Sequence, residues 1–201
     1  MNSKLIYNIC IKKIQHNPTA LEKWIEEFIL LSDIDFDNFF LIPYKTVCST
    51  KMQTFQYKLL HRILPVKDNL KRWKISDTDR CLECNEVEIV SHFVYYCKQS
   101  KYFWKKLEQW MRNCLDFFAP LSVVDILFGV PFQTETALLY INFIILYGKW
   151  YLYSRRLAEQ VCEWLAFIPI LKSEVQIMYY IEQSKLNEDK INKWEWFLNA
   201  F

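Results

Sequence analysis

The chain contains only 2 glycines and 6 prolines among its 201 residues. These two residue types supply most tight turns, so their scarcity argues against a fold of many short strands and favours long helices. Two glycines also cannot build a glycine-rich loop that holds a phosphate group. Enzymes that depend on such a loop are therefore excluded.

A strong excess of charge and a long hydrophobic run are also missing. The formal net charge is +2, so an argument for nucleic-acid binding must rest on local patches rather than on the whole chain. The most apolar stretch, residues 137–147, is interrupted by Asn142 and followed by Lys149, Arg155 and Arg156. It is too short to cross a bilayer, so we expect a buried helix and no membrane partner.

The carboxylate pair of a nucleic-acid polymerase is absent as well. Polymerases hold two metal ions between neighbouring carboxylates, and this sequence contains no Asp-Asp pair. Asp33, Asp35 and Asp37 alternate near a predicted helix start, where capping and solvated charge are the usual roles of acidic residues. We therefore expect a non-catalytic protein.

What the sequence does contain is enough apolar material for a core, with 52% hydrophobic and 17% aromatic residues. Apolar residues recur at helical spacing along most of the chain. The predicted helical segments are residues 4–14, a helix opening at Asn17-Pro18, 35–41 (ended by Pro43), 50–64, 66–73, 91–97, 101–115, 122–128, 134–167, 170–183 and 189–198. The sequence thus predicts a mainly α, multi-helix bundle with a small zinc-knuckle-like CCHC insertion that carries a short β-ribbon near residues 80–90. The expected segments are an N-terminal helical part (1–48), a helix with the CCHC module (49–118) and a C-terminal helical bundle (119–201).

The most specific pattern is Cys81, Cys84, His92 and Cys97, spaced C-x2-C-x7-H-x4-C. Three thiolates and one imidazole form the ligand set of a closed, structural Zn²⁺ site, whose charge of −1 the nearby Arg80 and Lys98 are expected to offset. The alternative is four reduced, buried residues that bind no metal.

The total of 7 cysteines is odd, and the opening residues lack a secretory signal. A reducing, intracellular compartment is therefore expected, with cysteine used for metal rather than for disulfides. The remaining cysteines are expected to be small buried residues. They are Cys10, Cys48, Cys114 and Cys162.

Positive charge is concentrated on both sides of the CCHC pattern. Residues 51–80 hold 8 basic and 3 acidic side chains, and a second basic stretch follows Cys97. An aromatic residue among basic ones can stack on an unpaired base. The candidate nucleic-acid-binding residues are Arg62, Lys67, Lys71, Arg72, Trp73, Lys74, Lys101, Lys105 and Lys106. The competing interpretation is that these are ordinary solvated helix faces, with Trp73 in the core.

The order of these features resembles the zinc-binding region of non-LTR (LINE-type) retrotransposon reverse transcriptases. The resemblance lies in the segment from Phe55 to Pro65, in the CCHC set and the following Phe103-Trp104, in residues 126–129 and in the closing Lys193-Trp194. It extends roughly from Trp24 to the end of the chain.

The resemblance implies a C-terminal module, separate from the polymerase, that helps to hold RNA and target DNA. Its expected partners are RNA or DNA and the polymerase domain of the parent protein, and its expected location is the nucleus or the cytoplasm. The chain would be a fragment or a remnant of such an element. The alternative from a different class is a helical structural or protein-interaction domain that uses zinc for folding alone.

Overall fold

A computed structural model describes residues 19–28, 36–130 and 136–201. The predicted first helix, residues 4–14, lies outside this part of the chain. The structure divides into two compact units, Met1–Phe36 and Asp37–Phe201. In the first unit, helix α1 (Thr19–Glu27) buries Ala20 and Trp24, and the Trp24 ring stacks on Phe28 at a centroid distance of 6.1 Å.

Helices also account for most of the remaining described residues, which confirms the prediction of a mainly α fold. Their order is α2 (Phe36–Thr46), α3 (Thr50–Leu60), α4 (Lys67–Arg72), a π-helical turn (His92–Tyr96), α5 (Lys98–Leu115), α6 (Val123–Phe128), α7 (Thr136–Leu157), α8 (Trp164–Ser184) and α9 (Glu188–Leu198). The only β-pairing among the described residues is an antiparallel bridge between Arg80 and Val87. The predicted ribbon is therefore reduced to one bridge, which closes the segment between α4 and the π-helical turn.

Helix α7 forms the centre of the second unit. Every residue from 140 to 149 is buried, which agrees with the apolar run in the sequence. Asn142 interrupts that run because its side-chain amide pairs with the backbone of Val130, accepting from the N–H at 2.7 Å and donating to the carbonyl at 2.8 Å. Gly148 allows a close approach to α5, since a Cβ atom there would lie 2.9 Å from the Trp104 ring.

Aromatic rings fill the space around α7. The Phe103 ring from α5 contacts Tyr151 of α7 and Phe167 of α8, with centroids 5.8 and 5.1 Å apart. At the other end, Phe143 packs against Trp194 of α9 at 5.0 Å. Stacked and edge contacts of this kind add to the hydrophobic stabilisation of the core.

Several helix boundaries differ from the prediction. Pro43 does not end α2, which continues to Thr46. A proline removes one backbone donor, but the turn that follows is held by other bonds. The Thr46 hydroxyl donates to the Ile42 carbonyl at 2.6 Å, and the Val47 N–H donates to the Pro43 carbonyl at 3.0 Å.

The predicted long helix 134–167 is in fact two helices, α7 and α8, because the chain reverses at residues 158–163. Glu159 adopts a left-handed conformation with φ 52°. Its N–H donates to Arg156 O at 3.1 Å and the next N–H, of Gln160, donates to Arg155 O at 2.9 Å. This is the Schellman arrangement that normally uses glycine, so the sequence carries no glycine signal for the break.

Helix α3 also ends early, at Leu60 instead of residue 64. Arg62 takes the left-handed conformation there, with φ 55°. Its N–H donates to Leu59 O at 2.9 Å, and the Ile63 N–H donates to Lys58 O at 2.9 Å. The ends of α3 and α7 thus both use residues other than glycine in the left-handed conformation.

No helix in the described ranges combines the length and the hydropathy that a membrane span requires. Of the remaining cysteines, Cys162 is buried as expected. Cys48 and Cys114 are exposed, so the prediction of burial is wrong for them, and Cys10 lies outside the described residues. Cys48 lies in the loop between α2 and α3, and Cys114 lies in the last turn of α5.

Candidate metal centre

Cys81 and Cys84 lie on a tight turn in the metal loop, which we define as residues 79–91. The Cys81 N–H donates to the Glu86 carbonyl at 2.8 Å, and the Asn85 N–H donates to the Cys81 carbonyl at 3.0 Å. Asn85 takes the left-handed conformation (φ 59°) that this reversal needs, and asparagine tolerates that conformation better than most residues. The turn brings the two sulfurs of the C-x2-C pair to the same side.

The second pair, His92 and Cys97, is brought together by the π-helical turn. In an α-helix, residues five apart would point about 140° away from each other. Here the Cys97 N–H donates to the His92 carbonyl at 2.7 Å, which is the wider bonding pattern of a π-turn. The x4 spacing therefore works as a ligand spacing because of the local π geometry.

Helix α5 satisfies carbonyl groups in the π-helical turn. The Ser100 hydroxyl donates to Phe93 O at 2.6 Å, and the Trp104 indole N–H donates to Val94 O at 2.7 Å. All four residues are buried. Since unpaired buried carbonyls are costly, these two bonds stabilise a turn that would otherwise be unfavourable.

The four side chains converge on one point. One ligand atom from each of Cys81, Cys84, His92 and Cys97 lies within 4.8 Å of all the others. The Cys81 and Cys97 sulfurs are 3.8 Å apart, and the Cys84 sulfur lies 3.2 Å from His92 Nε2. A tetrahedral site with metal–sulfur bonds of about 2.3 Å has edges of about 3.8 Å. The donor types and their separations therefore fit a tetrahedral metal ion.

Burial and neighbouring charge set the protonation of the ligands. Burial lowers the pKa of His92, and the positive charge of Arg156 lowers it further, so the imidazole is neutral and able to bind a metal. Burial raises the pKa of the Cys97 thiol. For Cys81 burial acts in the same direction, but the backbone N–H of Glu83 and the Arg156 guanidinium lower its pKa overall.

Arg156 is the basic residue that reaches the cysteine sulfurs, and sequence reasoning did not assign it this role. Its Nη1 lies 3.2 Å from Cys81 Sγ and its Nη2 lies 3.4 Å from Cys97 Sγ. Nη1 also donates to the carboxylate of Glu88. Arg80, which was expected to offset the site's charge, has its side chain 3.7 Å from Asp79. Burial opposes the charge of Arg156, but Glu88 and the two sulfurs raise its pKa overall.

The predicted nucleic-acid-binding residues lie on both sides of this centre. Lys67, Lys71 and Arg72 belong to α4, with Trp73 and Lys74 directly after it, whereas Lys101, Lys105 and Lys106 belong to α5. Trp73 is 43% exposed, so it is not a core residue. Most of the set is exposed, and Arg62, Lys67 and Lys106 are half-buried.

Helix α4 is attached directly to the metal loop. The Lys67 N–H donates to Glu88 Oε1 at 3.3 Å, and the Asp68 N–H donates to the Glu88 carbonyl at 3.2 Å. Lys71 Nζ donates to Asp79 Oδ2 at 3.0 Å, which lowers the pKa of that carboxyl. Helix α5 starts at Lys98, immediately after the ligand Cys97. The metal loop and the π-helical turn thus connect the two basic helices.

Lys149 is a second residue whose environment the sequence does not indicate. It follows the apolar run with Arg155 and Arg156, yet it is buried. Its Nζ donates to Gln56 Oε1 at 2.7 Å and to Leu127 O at 3.0 Å. It therefore belongs to the core rather than to a basic surface.

The fold and the site define a helical protein with a cluster of three cysteines and one histidine that could hold a metal ion. The family model described as zinc-binding in reverse transcriptase matches residues 3–104, a range that contains all four ligands. The chain belongs to this family, as the resemblance in its sequence implied. The family is an accessory zinc-binding region and not a catalytic one. A comparison with curated proteins gives no match.

Proposed function

We propose that the chain is a non-catalytic, zinc-binding module from the C-terminal part of a LINE-type reverse transcriptase, and that it helps to hold RNA or target DNA. In the parent protein it would act beside the polymerase domain, in the nucleus or the cytoplasm. The ion is Zn²⁺, because a closed set of three thiolates and one imidazole is typical of structural zinc. Its role is to fix the metal loop, which has little apolar surface of its own to bury.

One observation carries the nucleic-acid part of the proposal. The metal loop is bonded to α4 on one side and leads into α5 on the other, so metal binding fixes both basic segments. Trp73 lies at the end of α4 and is 43% exposed. Exposed aromatic rings among lysines and arginines are the usual surface for single strands.

A structural or protein-interaction domain is the second candidate, and the ion pairs within α4 and the metal loop support it. Lys71 lies 3.0 Å from Asp79, and Arg72 lies 3.8 Å from Asp68. These cations already have acidic partners. However, exposed pairs of this kind contribute little energy. They therefore do not exclude nucleic-acid binding, in which a phosphate group would replace the carboxylate.

Binding of single-stranded RNA or DNA at several salt concentrations tests the proposal. If about 4–6 phosphates are contacted, log affinity falls by about 3 to 4 per tenfold increase in salt. The double variant Arg72→Ala/Lys74→Ala is expected to weaken binding to all sequences alike and to make the slope shallower by about one per lost contact. Trp73→Ala is expected to weaken binding by about 1–3 kcal/mol without changing the slope, because a stacked ring carries no charge.

The matched control is Lys172→Ala/Lys190→Ala, which removes the same charge from α8 and α9. It is expected to leave the slope unchanged. Zinc content and circular dichroism show that each variant is folded. Zinc-loaded protein that does not bind either nucleic acid at low salt would leave the structural candidate as the answer.

A further inference from the structure

Arg156 connects three parts of the molecule that are far apart in the sequence. It lies in the last turn of α7, well beyond residue 104, where the family match ends. Its guanidinium donates to Cys81 Sγ and Cys97 Sγ at 3.2 and 3.4 Å, and also to the Glu88 carboxylate. The side chain of Arg156 is 13% exposed and that of Glu88 is 3% exposed.

Glu88 gives the guanidinium a fixed position. One carboxylate oxygen accepts from Arg156, and the other accepts from the Lys67 N–H at the start of α4. The planar fork of an arginine can donate in several fixed directions at once, which a lysine ammonium on its flexible stem cannot reproduce. The orientation that Glu88 imposes is the one that directs N–H groups at two sulfurs.

We propose that Arg156 is a positioning residue of the metal centre, and that the zinc-binding unit therefore includes the C-terminal end of α7. By donating to two of the three thiolates, it holds their sulfurs at the separation that the ion requires. It also stabilises their negative charge, so the two thiolates react less readily with electrophiles. Partners of this kind typically change metal affinity by about 10- to 100-fold.

The simpler alternative is that Arg156 only neutralises the buried Glu88. The two explanations differ in what Arg156→Lys does. Lysine keeps a positive charge for Glu88 but cannot donate to both sulfurs from one plane. A pure charge-balancing role therefore allows Arg156→Lys to bind metal normally, whereas the positioning role does not.

The experiment measures Zn²⁺ affinity by competition with a chelator, and Zn²⁺ release after addition of a thiol-modifying reagent. The variants are Arg156→Gln, Arg156→Lys and Glu88→Gln. Arg155→Gln is the matched control, because Arg155 is the adjacent arginine and donates to Gln160 instead. Arg156→Gln is expected to weaken Zn²⁺ binding by about 10- to 100-fold and to accelerate release, with Arg156→Lys intermediate and Arg155→Gln within about twofold of the original chain.

Co²⁺ substitution gives a readout that general destabilisation would not move. The thiolate-to-cobalt absorption of folded Arg156→Lys is expected to shift, because two of its three thiolates lose hydrogen bonds. If Arg156→Lys binds Zn²⁺ with unchanged affinity and shows an unchanged Co²⁺ spectrum, the inference is wrong. If the original chain itself binds no Zn²⁺, the proposed zinc role is wrong. If the original chain binds Zn²⁺ and the defect is confined to the Arg156 variants, the positioning role is supported.

Discussion

At the residue scale, Lys149 shows how strongly the core can change the chemistry of one side chain. Its amine is fully buried, and the oxygens that it contacts belong to the neutral Gln56 side chain and the Leu127 carbonyl. Burial lowers its pKa well below the usual value. Burial therefore disfavours the charged amine in the folded protein, whereas the unfolded chain titrates near its ordinary pKa of about 10.4.

This difference predicts a pH dependence with a defined sign. Between the lowered pKa and about 10.4, the unfolded chain binds the proton and the folded chain does not, so stability rises with pH. In urea unfolding from pH 7 to 9.5, the free energy of unfolding of the original chain should rise relative to that of Lys149→Met. The expected rise is up to about 1.4 kcal/mol per pH unit. Thiols and tyrosines titrate in both proteins, so their effects cancel in the difference.

Lys190→Met serves as the control, since Lys190 is an exposed residue of α9. Its stability should run parallel to that of the original chain across the same pH range. If the stability of Lys149→Met also ran parallel to that of the original chain, Lys149 would have to remain charged in the core.

The spacing of Cys81, Cys84, His92 and Cys97 was sufficient to predict a metal site, because all four ligands come from one short segment. Arg156 could not be found in this way. It is 59 residues from Cys97, and only the packing of α7 brings it to the site. An arginine next to another arginine at the end of an apolar helix carries no local signal for contact with a thiolate.

At the scale of the elements, the scarcity of glycine has a measurable consequence. Helix α7 is followed at Glu159 by a residue in the left-handed conformation, with φ 52°. That conformation is unfavourable for residues with a Cβ atom and is free of this cost for glycine. Glu159 is exposed, so its side chain has little packing to lose.

Glu159→Gly is therefore expected to raise the free energy of unfolding by about 0.5–1 kcal/mol, after allowance for the greater freedom of glycine in the unfolded chain. Thermal or urea unfolding measures the change. Glu159→Ala removes the same carboxylate but keeps the Cβ atom, so it should give no such gain. Equal stabilisation by both substitutions would show that charge, and not backbone conformation, is the cause.

Helix boundaries were predictable where a local sequence signal marks them. Helices with a continuous apolar stripe, such as α5 and α9, were placed within a few residues. The break between α7 and α8 was missed because apolar residues continue across it and neither glycine nor proline marks it. At Pro43 the error was the opposite one. The proline predicted the end of a helix, but α2 continues to Thr46.

At the scale of the whole molecule, the metal centre joins elements that the sequence separates. Cys81 and Cys84 come from the turn after α4, His92 and Cys97 come from the π-helical turn before α5, and Arg156 comes from α7. Without an ion, three buried or partly buried thiols and an imidazole would have to satisfy one another. With the proposed zinc ion bound, the metal binding energy would be part of the folding energy of this region.

The central claim is that the CCHC cluster is a structural zinc site, and metal analysis of the purified protein tests it most directly. We predict about one Zn²⁺ per chain, and loss of that ion together with the ordered metal loop in Cys84→Ser. Cys114→Ser is the matched control, because Cys114 is exposed and lies outside the cluster, and it should keep the ion. A folded, zinc-free original chain, or Cys84→Ser with a full complement of zinc and an intact loop, would contradict the account.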